Sequence, residues 1–467
     1  MNTKLLKQKI LDLAIRGKLT QQLKSDGNTA DLLKEISSAC HPERCAKSAK
    51  SKDLKQIIPL DKSEAPFEIP ANWEWVRLGD VVLNRDAERK PVSKKDRNLH
   101  AQKIYDYYGA AGAIDKVEEY LFDEKLLLIG EDGANLLSRS KPNAFLANGK
   151  YWVNNHAHVI DAIDKSMLDY LAFYINAISL DDFVTGTAQP KLNQENLNKI
   201  PIPLPPLAEQ QRIVAKIEEA FAEIDAIEKN KELLKTHIKQ TRQKILDLAI
   251  HGKLVPQNKS DEPASVLLER ITRDSPHYEK IGLDDVPFDI PKSWCWCRLG
   301  DVLNIARGGS PRPIQDYLTN EKDGLNWIKI GDTEKGGKYI ETVKEKIKPS
   351  GLSHTRAVKA GDFLLTNSMS FGRPYILKVD GCIHDGWLVL GNVEKSMIPD
   401  FLYFMLSSDF IYQSFAFAAA GSTVKNLKSE TVQGTLFPLP PLAEQSRIVT
   451  KIEELFSALD QMERNLV

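Results

Sequence analysis

The chain has 467 residues, of which 42% are hydrophobic and 27% are charged, and its formal net charge is −1. This length allows two or three domains, while so balanced a charge argues against nucleic-acid binding unless the charges are segregated on the surface. The longest apolar runs are far shorter than a membrane span, the N-terminus lacks the apolar core of an export signal, and five cysteines suit a reducing cytoplasm.

Residues 1–20 are predicted to form a helical segment that recurs later in the chain. "KQKILDLAIRGKL" from Lys7 returns as "RQKILDLAIHGKL" from Arg242, at an offset of 242 − 7 = 235 residues. Residues 21–65 are predicted to be a linker, and its stretch 37–50 has no counterpart in the second copy. Cys40, His41 and Cys45 lie in this insert without a fourth ligand, so we expect no metal site.

Two globular domains are predicted, over residues 66–202 and 287–437. The first opens with "PFEIPANWEWVRLGDVV" and the second with "PFDIPKSWCWCRLGDVL", yet the sequences that follow diverge almost completely. Their glycines, aromatic residues and short β-branched runs favour mixed α/β, β-rich domains. A shared frame with different contents is typical of two binding modules that have different ligands.

Long helices are predicted over residues 203–254 and 438–467, with a second linker at 255–286 between the central helix and the second domain. Both helices open with "PLPPLAEQ", and the two copies are again 235 residues apart. Apolar residues at alternating steps of four and three predict an antiparallel coiled-coil seam. Its members are Ile213, Ile217, Ile224, Ile227, Leu234, Ile238, Ile245, Leu248, Ile448, Ile452, Leu455 and Leu459.

The distal helix stops at half the length of the central one, and the N-terminal segment carries the missing half. The repeat is therefore circularly arranged. The predicted fold class is α+β, with two mixed α/β, β-rich globular domains separated by two long antiparallel helices in pseudo-two-fold symmetry. No phosphate-binding loop, amino-methyltransferase tetrapeptide or other catalytic set was found, so the chain is predicted to be non-catalytic and to hold no cofactor.

Three duplicated motifs carry a family resemblance. "W.RLGDV", "PLPPLAEQ.RIV.KIEE.F" and "QKILDLAI.GKL" resemble the specificity subunit of type I restriction–modification systems, over essentially the whole chain. The resemblance implies that each target-recognition domain reads one half of an asymmetric bipartite site in double-stranded DNA. It implies that the helices act as a spacer and dock two methyltransferase subunits, with two restriction/translocase subunits as optional further members. S-adenosylmethionine, ATP and Mg would then belong to those partners in the cytoplasm.

Candidate DNA-contacting residues are loop side chains that donate hydrogen bonds or carry positive charge. In the first domain they are Arg85, Arg89, Lys90, Lys94, Lys95, Arg97, Tyr107, Tyr108, Arg139, Lys141, Asn154, Asn155, His156 and Lys191. In the second domain they are Arg307, Ser310, Arg312, Lys329, Asn367, Ser368, Arg373, His384 and Lys425.

Three alternatives stay open at this point. A DNA-recognition subunit of another modification or defence system would differ in its neighbouring genes and co-purifying subunits. A structural coiled-coil adaptor would show no sequence preference for DNA. A stand-alone enzyme would turn over a nucleotide or a methyl donor without partners.

Overall fold

The computed structural model describes residues 2–39, 57–61, 63–98, 102–186, 189–273, 278–282, 285–334, 336–367, 371–419 and 426–466. The helices are α1 (Thr3–Ile15), α2 (Thr29–Ala39), α3 (Leu78–Val81), α4 (Lys94–Arg97), α5 (Asn135–Ser138), α6 (Lys165–Ala177), α7 (Gln194–Lys199), α8 (Leu207–Ile250), α9 (Ala264–Thr272), α10 (Leu299–Val302), α11 (Pro399–Leu406), α12 (Asp409–Ala419), α13 (Ser429–Gln433) and α14 (Leu442–Arg464). Within the described ranges no helix is both long and apolar enough to cross a membrane.

The chain divides into two compact units, Met1–Asn230 and Lys231–Val467. The strands of the first unit are β1 (Glu74–Arg77), β2 (Leu83–Asn84), β3 (Tyr105–Gly109), β4 (Gly112–Val117), β5 (Phe122–Asp123), β6 (Leu126–Gly130), β7 (Ala144–Ala147), β8 (Lys150–Val153), β9 (Ala157–Asp161) and β10 (Pro201–Leu204). They form a β1–β10 pair, a sheet in the order β2-β9-β6-β7 and a sheet in the order β4-β3-β8-β5.

The second unit repeats this arrangement with longer sheets. Its strands are β11 (Cys295–Arg298), β12 (Asn304–Arg307), β13 (Leu318–Thr319), β14 (Leu325–Ile328), β15 (Tyr339–Ile340), β16 (Lys346–Ile347), β17 (Arg356–Val358), β18 (Phe363–Thr366), β19 (Pro374–Leu377), β20 (Gly381–Ile383), β21 (Trp387–Gly391) and β22 (Leu436–Leu439). They form a β11–β22 pair and sheets in the orders β12-β21-β18-β19-β15 and β13-β16-β14-β20-β17. The β-rich, mixed α/β nature of both domains is thus confirmed.

The divergent sequences keep one topology because the same strand positions stay apolar. The central strands β6 and β18 are buried along their whole length. β6 pairs antiparallel with β9, and β18 pairs antiparallel with β21. The parallel pair of β3 with β8 has its counterpart in β14 with β20. The turns after β8 and β20 therefore occupy equivalent places in the two units.

In the first unit α1 packs antiparallel against the first part of α8. Lys7, in α1, forms an ion pair with Asp225, while Gln22, beyond the end of α1, donates to Glu209 at 2.6 Å. The apolar residues that this helix pair adds to the domain core are Leu11, Ala14, Ile15, Ile213, Val214 and Ile217.

In the second unit the last part of α8 packs in the same way against α14. Arg242 pairs with Asp460, and Gln257 donates to Glu444 at 2.5 Å. Each of these four residues lies 235 positions after its counterpart in the first unit. The buried residues of this helix pair are Ile245, Leu246, Ala249, Ile250, Ile448, Val449 and Ile452, with Leu455 and Leu459 partly buried against them.

The predicted seam holds at most positions but is wrong in the middle of α8, where Ile227 is 48% and Leu234 is 40% exposed. In the first unit α1 begins at Thr3, whose hydroxyl bonds Glu228, so none of its helix lies alongside the residues that follow. In the second unit α14 ends at Arg464. The buried seam residues are Ile213, Ile217, Ile224, Ile238, Ile245, Ile448 and Ile452, and Leu248, Leu455 and Leu459 are partly buried.

A glycine ends each helix that carries the "DLAI.GKL" motif. Gly17 and Gly252 have φ angles of +64° and +66°, which a side chain rarely adopts. A Cβ atom would also lie 2.3 Å from Pro70 Cγ at Gly17 and 2.4 Å from Pro291 Cγ at Gly252. Both glycines therefore suit the C-terminal ends of these helices, where a left-handed residue is favoured. The structure describes the insert at residues 37–50 only as far as residue 39. Its residues 40–50, including Cys40, His41 and Cys45, lie outside the described residues.

Candidate nucleic-acid interface

The turn between β8 and β9 presents two predicted DNA-contacting residues to solvent. Asn155 and His156 are exposed, and His156 Nδ1 lies 2.7 Å from Asp132 Oδ2. Asn154, by contrast, is 4% exposed and its Oδ1 accepts the His156 backbone N–H at 2.8 Å. Asn154 therefore shapes the turn, which does not fit the direct DNA contact predicted for it.

A charged network lies under this turn. Arg89 Nη1 donates to Glu131 Oε2 at 2.7 Å and to the Ala157 carbonyl at 2.7 Å. Asp86 Oδ2 lies 2.6 Å from Nδ1 of His158, which is 1% exposed. Burial opposes ionisation of Asp86, but the hydrogen bond with His158 and other contacts outweigh it and hold the pKa of Asp86 below its ordinary value. Arg89, 13% exposed, thus supports the turn from inside.

Ligand atoms of Asp86, Glu131 and His158 lie within 4.8 Å of one another, a grouping that could hold a cation and that the sequence did not indicate. The Arg89 guanidinium already pairs with both carboxylates. The second ring nitrogen of His158, Nε2, lies 2.8 Å from the Leu192 carbonyl oxygen. Protein groups therefore occupy the contacts that a metal would need, and the group acts as an internal ion-pair network.

The other candidates of the first unit divide by exposure. Arg85 pairs with Glu88 and Glu124, and Arg97 with Asp115. Tyr107 is 1% exposed and donates to the Val92 carbonyl, so its burial does not fit direct DNA contact. Tyr108 is partly buried against Phe145, Arg139 donates to the Asn176 carbonyl, and Lys191 pairs with Glu131 at 3.2 Å. Exposed side chains are those of Lys90, Lys94, Lys95, Lys141 and Lys191.

Backbone hydrogen bonds identify the equivalent turn of the second unit as residues 384–386. The Asn367 N–H donates to the Gly386 carbonyl at 3.0 Å, as the Glu131 N–H does to the His156 carbonyl at 2.9 Å. Asn367 itself is 1% exposed, and its Nδ2 donates to the Asp385 carbonyl at 2.7 Å. Its side chain thus shapes the turn, contrary to the predicted DNA contact.

Four predicted residues of the second unit meet at one open cleft of about 320 Å³. Ser310 Oγ donates to Asp385 Oδ1 at 2.8 Å, and Arg312 Nη2 lies 3.5 Å from Asp385 Oδ2. Lys329 pairs with Glu345 on the same wall. Burial lowers the pKa of His384, which favours a neutral imidazole. Arg307 and Arg373 are exposed, whereas Ser368 and Lys425 lie outside the described residues.

The sequence did not indicate the acidic residues at the two turns, Asp132 and Asp385. Candidate DNA contacts are side chains that donate hydrogen bonds or carry positive charge, and a carboxylate does neither. Asp385 lies within the turn between β20 and β21, whereas Asp132 follows β6 and meets the turn after β8 through its contact with His156. Comparing the two turns would therefore have pointed to Asp385 but not to Asp132.

Comparisons with known proteins decide the family. The family described as "Type I restriction modification DNA specificity domain" matches residues 70–236 and 291–467. The chain belongs to this family. Its two matches begin just before β1 and β11, so each unit of the type I specificity chain carries one copy of the domain.

Curated relatives match this chain over nearly its full length. The EcoEI and EcoAI type I specificity subunits of Escherichia coli are each 25% identical to this chain, covering 99% and 98% of it and 90% of each relative. The crystal structure of the HsdS subunit from Thermoanaerobacter tengcongensis shares the fold, with a TM-score of 0.50 at 21% identity over 87% of this chain and 94% of that one. The resemblance and the fold class predicted from the sequence are thus confirmed.

Proposed function

We propose that this chain is the DNA-recognition subunit of a type I restriction–modification complex, and that each unit reads one half of an asymmetric bipartite site. The observation that carries the proposal is one strand topology with different side chains at the equivalent turn. The first unit presents Asn155 and His156 there, and the second presents Asp385 beside Arg312. Different donors and acceptors select different bases.

The helices serve as spacer and as docking surface for two methyltransferase subunits. Support comes from the repeat itself, because both units present the same helix pair with the same interhelical contacts. Two equivalent surfaces on one chain suit two copies of one partner. Adenine methylation, with S-adenosylmethionine, then belongs to those partners, and ATP-dependent translocation and cleavage, with Mg, to two optional restriction subunits.

Sequencing of methylated adenines in cells with and without this gene tests the proposal. Methylation at one bipartite motif should disappear with the gene and return with a plasmid copy. If the chain were a coiled-coil adaptor, deleting its gene would leave the methylated motif unchanged as long as the remaining subunits still form a complex. A DNA reader from another system would co-purify with subunits other than the methyltransferase.

A further inference from the structure

The second unit contains a fixed carboxylate in its open cleft. Asp385 lies in the turn between β20 and β21, and its side chain is 42% exposed. Its backbone carbonyl accepts Asn367 Nδ2 at 2.7 Å and Arg307 Nε at 3.0 Å, while its Oδ1 accepts Ser310 Oγ at 2.8 Å. Three side chains thus hold one partly exposed acid in place.

Electrostatics make an acid at this position costly for a DNA-binding surface. A carboxylate repels the phosphates of the duplex, and burial alone would favour its neutral form. The Ser310 hydrogen bond and nearby positive charge nevertheless keep the pKa of Asp385 below its ordinary value. Under the proposed function this cleft faces DNA, and an ionised acid fixed there calls for a ligand that donates hydrogen bonds to it.

Arg312 supplies the complementary half of such a site. Its side chain is 81% exposed, and its Nη2 lies 3.5 Å from Asp385 Oδ2. A contact this long and exposed contributes little to the stability of a fold, so stability does not account for it. By contrast, Lys329 in the same cleft is closely paired with Glu345. Arg312 therefore keeps most of its donors free for a ligand.

We infer that Arg312 and Asp385 together read one G·C base pair in the half-site of the second unit. This inference rests on the proposed function. In the major groove guanine presents the acceptors N7 and O6, and its paired cytosine presents the N4 amino donor beside them. Arginine pairs with the first two and aspartate accepts from the third. Adenine would instead place its N6 donor against the guanidinium.

The first unit lacks this arrangement at its equivalent turn. There the carboxylate of Asp132 lies 2.7 Å from the ring nitrogen of His156 and is only 19% exposed. Its acceptor is thus engaged within the turn, and His156 is the exposed group. The G·C contact is accordingly assigned to one half-site only.

The test uses the complex of this chain with its methyltransferase subunits, and maps its motif with Asp385→Asn and Arg312→Ala. Asparagine keeps the acceptor for Ser310 but turns a donor towards cytosine N4. We expect preference for G·C to fall roughly 5- to 150-fold at one position of one half-site, with the other half-site unchanged. Asp385→Asn should also raise non-specific DNA affinity, because a repulsive charge is removed.

Two charge-matched controls are available in the second unit. Glu341→Gln and Lys322→Ala remove the same charges at exposed positions outside the cleft, and the motif should stay as it is. The inference is overturned if both cleft variants retain the full motif, or if they lose all sites equally while melting like the wild type. In either case the wild type would still read a bipartite motif, whereas a wild-type complex without any motif would contradict the proposed function itself.

Discussion

Trp73 donates its indole N–H to the buried carboxylate of Glu209 at 2.8 Å, which ties the first domain to the start of α8. Gln22 donates to the same carboxylate at 2.6 Å. In the second unit the equivalent Glu444 accepts from Gln257 and faces the indole N–H of Trp294, but that second contact is too loose for a well-formed hydrogen bond. The two copies of one contact thus differ in how well the buried charge is compensated.

Glutamine substitutions should separate these two glutamates. Glu209→Gln places a donor against a donor, so we expect the free energy of unfolding to fall by about 1–3 kcal/mol. Glu444→Gln loses only the looser contact with Trp294 and should cost less. Urea denaturation of both variants at pH 7 measures the difference, and equal losses would contradict the contrast drawn between the two copies.

The pH dependence of stability should follow Glu444. Burial raises its pKa above the ordinary value of 4.5. An acid whose pKa is raised on folding stabilises the fold at pH values below its unfolded pKa, and this stabilisation is lost as the pH rises through the folded pKa. We expect wild-type stability to decline over that range and the decline to be smaller in Glu444→Gln. Denaturation series from pH 4 upwards, compared between the two proteins, provide the check.

Two neighbouring isoleucines of α8 should respond in opposite ways to a charge. Ile224 is 3% exposed and Ile227 is 48% exposed. Ile224→Asp buries an unpaired carboxylate, which costs several kcal/mol or prevents folding. Ile227→Asp should change stability by about 0.5 kcal/mol or less, as surface changes usually do. Thermal unfolding measures the stability of the two single variants. A large loss of stability in Ile227→Asp would support the continuous seam that the sequence predicts.

Some features of the fold and of the cleft could be predicted from the sequence, and others could not. Periodicity found Ile213, Ile224 and Ile245 correctly, because a heptad pattern reports which face of a helix is apolar. It could not find the exposure of Ile227, since periodicity does not say where the partner helix begins. The cleft could not be predicted from local patterns, because the contact between Ser310 and Asp385 joins residues 75 positions apart.

Cations of the first unit should divide into structural and DNA-binding groups. Arg89→Ala leaves Asp86 and Glu131 largely buried without their partner, so we expect a stability loss of about 3 kcal/mol. Replacing the exposed Lys94 and Lys95 by Ala should leave stability unchanged and weaken DNA binding for all sequences alike. Each lost phosphate contact should reduce the salt slope of binding by about 0.9. Binding titrations of the complex at several salt concentrations separate the two cases.

The spacing between half-sites should depend on α8, a single helix from Leu207 to Ile250 that contributes to both units. Four residues inserted after Asn230 lengthen it by about 6 Å at about 1.5 Å per residue. One base pair spans about 3.4 Å and turns the duplex by about 35°. The native gap should therefore be disfavoured and methylation should decline or move to a different gap, with both half-sites keeping their bases. The same insertion after Lys259, in an exposed turn, should leave the gap as it was. A motif unchanged by the α8 insertion would show that this helix does not set the distance between the half-sites.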